Sequence, residues 1–252
     1  MKKMIAIFLT ASICAIQTNS IALSKGREDY EKTGNVVWEI NTKEKMVALT
    51  FDDGPHPVFT PLILDTLAKY HAKATFFVTG KKAKEFPDIL LREVREGHEV
   101  ANHTYNHYND HHISAETLTS ELEKTDEVIQ RIIGYKPTLY RPVAGNYNEL
   151  IVNTAVKNGK MVILWSWHQD PKDWNNPPAS KIVRHVTSAV NPGDIIVLHD
   201  WHNNDPTKTC QTVLALDDIL AFLSKNGYQC VTVSEMIYRS KIKTPEPFFP
   251  FH

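Results

Sequence analysis

Short apolar, β-prone runs alternate along the chain with amphipathic ones. Residues 47–51, 74–78, 99–102, 138–140, 161–165, 194–198 and 229–233 read as strands, and 36–40 as one earlier strand in a polar lead-in. Residues 60–70 bring Leu62, Ile63, Thr66, Leu67 and Tyr70 near one helical face. Ser114 is placed to cap a helix that reaches Ile133 and stops at Gly134, and residues 148–158 and 209–226 read as helices ending at Gly159 and Gly227. Strand–helix alternation of this kind predicts an α/β fold whose parallel sheet, of about seven strands, closes or nearly closes into a barrel. No internal repeat or mid-chain linker marks a second domain, so a single domain is expected.

The two ends depart from this pattern. Lys2 and Lys3 precede an apolar run over residues 4–16, and small residues then lead to a possible cut after Ala22, which together make the parts of a secretory signal. The run is short for a membrane span, although an uncleaved anchor would begin the same way. Residues 1–22 are therefore expected to direct export, 23–45 to lead in, 46–240 to form the domain and 241–252, apolar and broken by prolines, to form a tail. The expected location is secreted or cell-wall associated, with anchoring through the leader as the variant.

Composition excludes little else. At 42% hydrophobic and 23% charged the chain is an ordinary globular protein. Its formal net charge of -1 becomes -3 if Lys2 and Lys3 leave and 26 basic residues face 29 acidic ones, and neither value suits a nucleic-acid partner. After such a cut Cys210 and Cys230 are the remaining cysteines, free to pair in an oxidising compartment or to stay buried thiols.

In a β/α barrel the chemistry sits at the C-terminal strand ends. Polar groups follow strand after strand there: Asp52 and Asp53, then His103 and His107, Arg141, Asp170, Asp173 and Trp174, and finally His199 and Asp200. Asp-Asp-Gly-Pro by itself is equally good turn chemistry. Consecutive strand residues point opposite ways, however, so one carboxylate can hold a cation while its neighbour takes a proton. His103 and His107 are four apart, which in a helical turn would aim both imidazoles from one face, and Asp53 would complete an open, catalytic type of metal site. Twelve histidines also produce such spacings by chance, and His107 with His111 is a second one. No Gly-x-Ser-x-Gly elbow suggests a serine esterase.

Taken together and in order, Thr50-Phe-Asp-Asp-Gly-Pro55, His103-Thr-x-x-His107, Arg141-Pro-x-x-Gly145, Asp170-x-x-Asp173-Trp174 and the strand ending in His199-Asp200 resemble the five motifs of the polysaccharide deacetylases, the NodB-homology, family-4 carbohydrate esterases. The resemblance runs from about residue 46 to 238. It implies a distorted (β/α) barrel, a divalent metal and hydrolytic removal of acetyl groups from N-acetylated sugars. Position by position it implies Asp53, His103 and His107 as metal ligands, Asp52 as catalytic base buttressed by Arg141, and His199 as general acid paired with Asp173. Trp174 would wall the site, a backbone N–H of the Val143–Ala144 turn would face the oxyanion, Val197 would line the acetyl pocket, and Leu198 would contact the substrate. Two departures stand out. Val143 and Ala144 replace the Pro and frequent Tyr of the third motif, and Val197 replaces a Leu.

The activity expected is metal-dependent de-N-acetylation of an N-acetylglucosamine-containing glycan, peptidoglycan or chitin-type. An O-acetyl esterase using the same site, or an inactive glycan-binding homologue, are the alternatives. Zinc suits two imidazoles and a carboxylate, and Co2+, Ni2+ or Fe2+ fit as well. The glycan is the one partner expected, with no nucleic acid, no obligate protein partner and a monomeric state.

Overall fold

The computed structural model describes residues 26–109, 111–200 and 210–241. The leader, Asp110, the segment 201–209 with Trp201, and the tail from residue 242 lie outside the described residues. The central strand is β2 (Met46–Asp52), whose seven residues are all buried. It is flanked by β3 (Ala74–Val78) and β7 (Ile195–His199), and further strands β4 (Glu99–Asn102), β5 (Leu139–Tyr140), β6 (Met161–Ile163) and β1 (Val36–Val37) follow outward. The order is β1-β6-β5-β4-β3-β2-β7, every pairing is parallel, and β8 (Gln229–Cys230) pairs with the first two residues of β2. Beyond β6 the Ser166 N–H donates to Ile195 O and the Val197 N–H to Gln169 O, which carries the sheet round toward β7. The curvature is that of a distorted half-barrel.

Alternation along β2 sorts its residues into two layers. Val47, Leu49 and Phe51 pack outward with Phe76 and Val78 against the helices α2 (Phe59–Lys69), α4 (Pro87–Arg95) and α8 (Gln211–Lys225). Met46 and Ala48 point inward, where Phe77, Ala101 and Ile163 meet Val233 and Met236 of α9 (Val233–Lys241). Thr50 and Asp52 continue the inward row toward the open end. The interior is thus apolar at one end and polar at the other.

Helix boundaries follow their caps. In α5 (Ala115–Ile133) the Ser114 hydroxyl accepts the Thr117 N–H at 3.2 Å, and Gly134 closes the helix at φ 88°. In α6 (Glu149–Lys157) Asn148 Oδ1 accepts the Ile151 N–H at 2.9 Å. Four strands are shorter than their apolar runs suggest: β1 ends at Val37, β5 begins at Leu139, β6 ends at Ile163, and β8 ends at Cys230, with residue 233 already beginning α9. Helices α1 (Arg27–Glu31), α3 (Gly80–Glu85) and α7 (Ala179–Ser188), like α4, are additions to the expected set. Pro87 opens α4 at its first position, where a missing N–H costs nothing. Cys210 is buried before α8, Cys230 lies in β8, and both are free thiols.

Candidate active site

Strand register brings the first charged groups together, since Asp52 lies directly across from His199 on β7 and from Phe77 on β3. Both Asp52 and His199 border one cleft of about 460 Å³ at the open end of the barrel. Arg141, which follows β5, reaches under this cleft and is completely buried. Its Nη1 donates to Asp52 Oδ1 and Thr50 Oγ1, both at 2.7 Å, its Nε to Ile163 O at 3.1 Å and its Nη2 to Leu164 O at 3.0 Å. The guanidinium also lies 4.0 Å over the Phe77 ring. A buried charge survives when it is paired and its donors are satisfied, and this one meets both conditions.

Asp53 turns the other way, at φ 78°. Its Oδ1 lies 3.3 Å from His103 Nε2 and 2.9 Å from His107 Nε2. Oδ1 is nevertheless without a hydrogen bond of acceptable geometry, so three ligand atoms converge on one point without bonding one another. These are the described residues' one group of three that could hold a metal ion, their ligand atoms all within 4.8 Å. His103 Nδ1 is bonded to Arg141 O at 2.8 Å. A carbonyl can only accept, so Nδ1 carries a proton and Nε2 is the nitrogen turned toward Asp53. The donor set and its tautomer fit a divalent cation. Burial alone would raise the Asp53 carboxyl, but His103 and His107 beside it hold it well below the usual range.

The helical turn expected to align His103 and His107 is absent. Residues 103–109 are loop, with Thr104 at φ 66° and His107 at φ 56°, and the two rings come 5.3 Å apart through these left-handed turns. Spacing of four suggested the pair, while the backbone that makes it is non-helical.

Across the cleft, Asp173 is fully buried in the short turn Asp173–Asn175. Its Oδ1 is 2.8 Å from His199 Nδ1, and its Oδ2 accepts the His199 N–H at 2.8 Å and the Thr212 hydroxyl at 2.7 Å. Burial lowers the His199 pKa, but Asp173, assisted by Asp53 and Asp52, overrides it and pushes the value up to about 10. The imidazole is held as a cation with Nε2 left for the cleft.

The cleft walls include Ala144, Trp165, Trp174 and Val197. Ala144 takes φ 56° in the turn Val143–Gly145, and at Gly145 (φ 67°) a Cβ would stand 2.6 Å from the Trp165 ring. Leu198 is not brought to the cleft. Strand alternation sends Val197 and His199 inward and Leu198 out into the helix-covered core, so of the two neighbours Val197 alone lines the cleft. Asp200 also faces away from the cleft wall, where its Oδ2 accepts the Thr60 hydroxyl at 2.5 Å and burial pushes its pKa up to about 7. His168 pairs with Asp194 at 3.0 Å beside a different groove. Trp165 and Asn109 line the cleft without having been singled out in sequence, because neither sits in a spacing pattern that carries chemistry.

The sequence signature described as "Polysaccharide deacetylase" matches residues 39–163. A Bacillus cereus protein named peptidoglycan-N-acetylglucosamine deacetylase is 43% identical over 211 residues, covering 84% of this chain and 97% of that protein. A crystal structure of a peptidoglycan N-acetylglucosamine deacetylase in complex with 4-naphthalen-1-yl-N-oxidanyl-benzamide superposes with a TM-score of 0.77 at 33% identity, over 83% of this chain and 95% of that one. A CE4 family pseudoenzyme from Bacillus anthracis is also similar, with a TM-score of 0.72 at 28% identity over 80% of this chain and 68% of that one. Fold alone thus does not separate active from inactive relatives, and the site has to carry that distinction. The chain belongs to the polysaccharide deacetylases, the NodB-homology, family-4 carbohydrate esterases.

Proposed function

We propose that this protein removes the acetyl group from N-acetylglucosamine residues of peptidoglycan, outside the cytoplasm, using zinc held by Asp53, His103 and His107. The reading rests on one observation: a carboxylate fixed by a buried arginine, three converging ligand atoms and a carboxylate-held imidazolium all face the same cleft. The peptidoglycan relatives favour that polymer over chitin-type oligomers. Export would follow from the leader in residues 1–22, and nothing in the expected glycan chemistry requires more than a monomer.

A divalent ion held by Asp53, His103 and His107 would supply Lewis acidity toward water and the acetyl carbonyl. Asp52 takes the proton from the attacking water, its orientation fixed through Oδ1 by Arg141. The Ala144 backbone N–H, presented by the left-handed turn, donates to the developing oxyanion. Val197 offers an apolar seat for the acetyl methyl. His199 gives its Nε2 proton to the departing nitrogen, which leaves as an amine rather than as an unstable amide anion. Asp173, bonded at Nδ1, keeps the ring cationic so that Nε2 still carries its proton when the C–N bond breaks.

Acetate release from peptidoglycan and from N-acetylglucosamine oligomers tests this, with zinc, with chelator and with Asp52→Asn. Release abolished by chelator and by the substitution is the expected result. Zinc binding without release from either substrate would sink the de-N-acetylase reading and favour O-acetylated glycans or an inactive, glycan-binding role.

A further inference from the structure

The turn that carries His103 and His107 is strained and needs holding. Two non-glycine residues in the left-handed region cost about 1–2 kcal/mol each, so the turn does not hold its shape unaided. Its carbonyls are taken from one side, where the Gly80 N–H donates to Thr104 O at 3.0 Å and the Lys81 N–H to Tyr105 O at 3.1 Å. The other side faces α5. That helix is amphipathic, yet its buried face carries two carboxylates, Glu121 and Asp126, among Leu118, Leu122 and Ile129.

We propose that Glu121 is a positioning residue for the metal site, a clamp that sets the turn between the two histidine ligands. One oxygen, Oε2, accepts the backbone N–H groups of Tyr105 at 3.0 Å and Asn106 at 2.7 Å, and Oε1 accepts the Asn106 side-chain amide at 2.7 Å. Both backbone donors lie between His103 and His107 in the chain, and Glu121 itself is only 5% exposed. Hydrogen bonds to an ionised acceptor are roughly twice as strong as neutral ones, so the charge is what makes three bonds enough. Asp126 completes the frame at one remove. Its Oδ1 accepts Asn102 Nδ2 at 2.8 Å, Asn102 Oδ1 accepts the Thr104 N–H at 2.9 Å, and buried Lys160 anchors Asp126 Oδ2 at 2.5 Å.

The inference rests on the metal reading of Asp53, His103 and His107, and metal affinity measured apart from activity tests it. Zinc affinity of the full chain is read by competition with a chromophoric chelator, beside thermal unfolding with and without zinc. Groups that orient ligands are worth ~10–100-fold in metal affinity, so Glu121→Ala is expected to lose that much. Glu121→Gln keeps an acceptor without the charge and should fall between, whereas Glu123→Ala, on the exposed face of α5, should bind as wild type. The zinc-dependent rise in melting temperature should shrink in the same order, which a purely structural role for Glu121 would not produce. Zinc affinity within twofold of wild type in folded Glu121→Ala, or in Glu121→Gln should the alanine variant not fold, overturns the clamp. A wild-type chain that binds no zinc overturns the metal site and the clamp together. Zinc binding that weakens as expected while no substrate releases acetate leaves the clamp standing and rejects only the proposed reaction.

Discussion

Asp173 grips His199 at two points, Oδ1 on the ring Nδ1 and Oδ2 on the backbone N–H, each at 2.8 Å. A single carboxylate therefore fixes both the position of the residue and the direction of its ring. The Thr212 hydroxyl on Oδ2 keeps the carboxylate itself from turning.

Asp173→Asn should convert this cation into an ordinary buried imidazole. Burial is then opposed by Asp53 and Asp52 alone, and the His199 pKa falls from about 10 toward its usual ~6.5. A raised pKa means that the protonated form is present below it and lost above it, so the variant loses its acid across the neutral range. The expected result is a kcat lowered by about 10²-fold at pH 8 with KM little changed, and an alkaline limb moved to lower pH. An unshifted pH–rate profile would show that His199 is not the titrating acid.

Arg141→Lys tests the buried fork. Lysine cannot reach Asp52, Thr50 and the two carbonyls of Ile163 and Leu164 at once, and the carboxylate of Asp52 would be left partly unpaired. Breaking such a pair costs about 3–5 kcal/mol, roughly 10 °C in melting temperature for a chain of this size. Calorimetry of the zinc-free protein measures it directly. A drop under 2 °C would mean the fork is not holding the strand ends.

Gly145→Ala should cost more than Gly134→Ala. Both glycines take positive φ, but a Cβ at Gly134 meets nothing within 4 Å, whereas at Gly145 it meets the Trp165 ring. Gly134→Ala then reports the backbone cost alone, about 1–2 kcal/mol, and Gly145→Ala adds the displacement of a cleft wall. Urea midpoints give the two stabilities, and KM for a glycan oligomer should rise for Gly145→Ala only.

Acid should weaken the fold through His98. This ring packs edge-on against Phe76, 5.6 Å between centroids, and its Nδ1 accepts the Ala74 N–H at 3.2 Å, which requires an unprotonated nitrogen. Burial, then the nearby Lys73 and Arg92, lowers its pKa to about 4. The folded value lies below the unfolded ~6.5, so this stabilisation is complete above 6.5 and is lost as pH falls from 6.5 to about 4. The loss is on the order of 3 kcal/mol across that window. His98→Gln should flatten the stability–pH curve there, and equal slopes for the two proteins would rule the ring out as the cause.

Much of this molecule is legible from sequence because its signals are local. A strand of apolar β-prone residues ending in charge needs no partner to be recognised, and β3 and β4 begin and end where the apolar runs do. Ser114 and Gly134 mark α5 because capping and left-handed closure are properties of single residues. The order of the five motifs was sufficient to gather Asp52, Asp53, His103, His107, Arg141, Asp173 and His199. Register and long-range contact are different in kind. Leu198 and Val197 are neighbours in sequence, and only the pairing of β7 with β2 decides which faces the cleft. Glu121 reads as one more charge on a helix until α5 packs on the His103–His107 turn and buries it. The non-helical turn itself is imposed from outside, by α3 on its carbonyls and Glu121 on its amides. The residue types were set by sequence, but the direction of each side chain was decided by tertiary structure, because direction depends on partners far away in the chain.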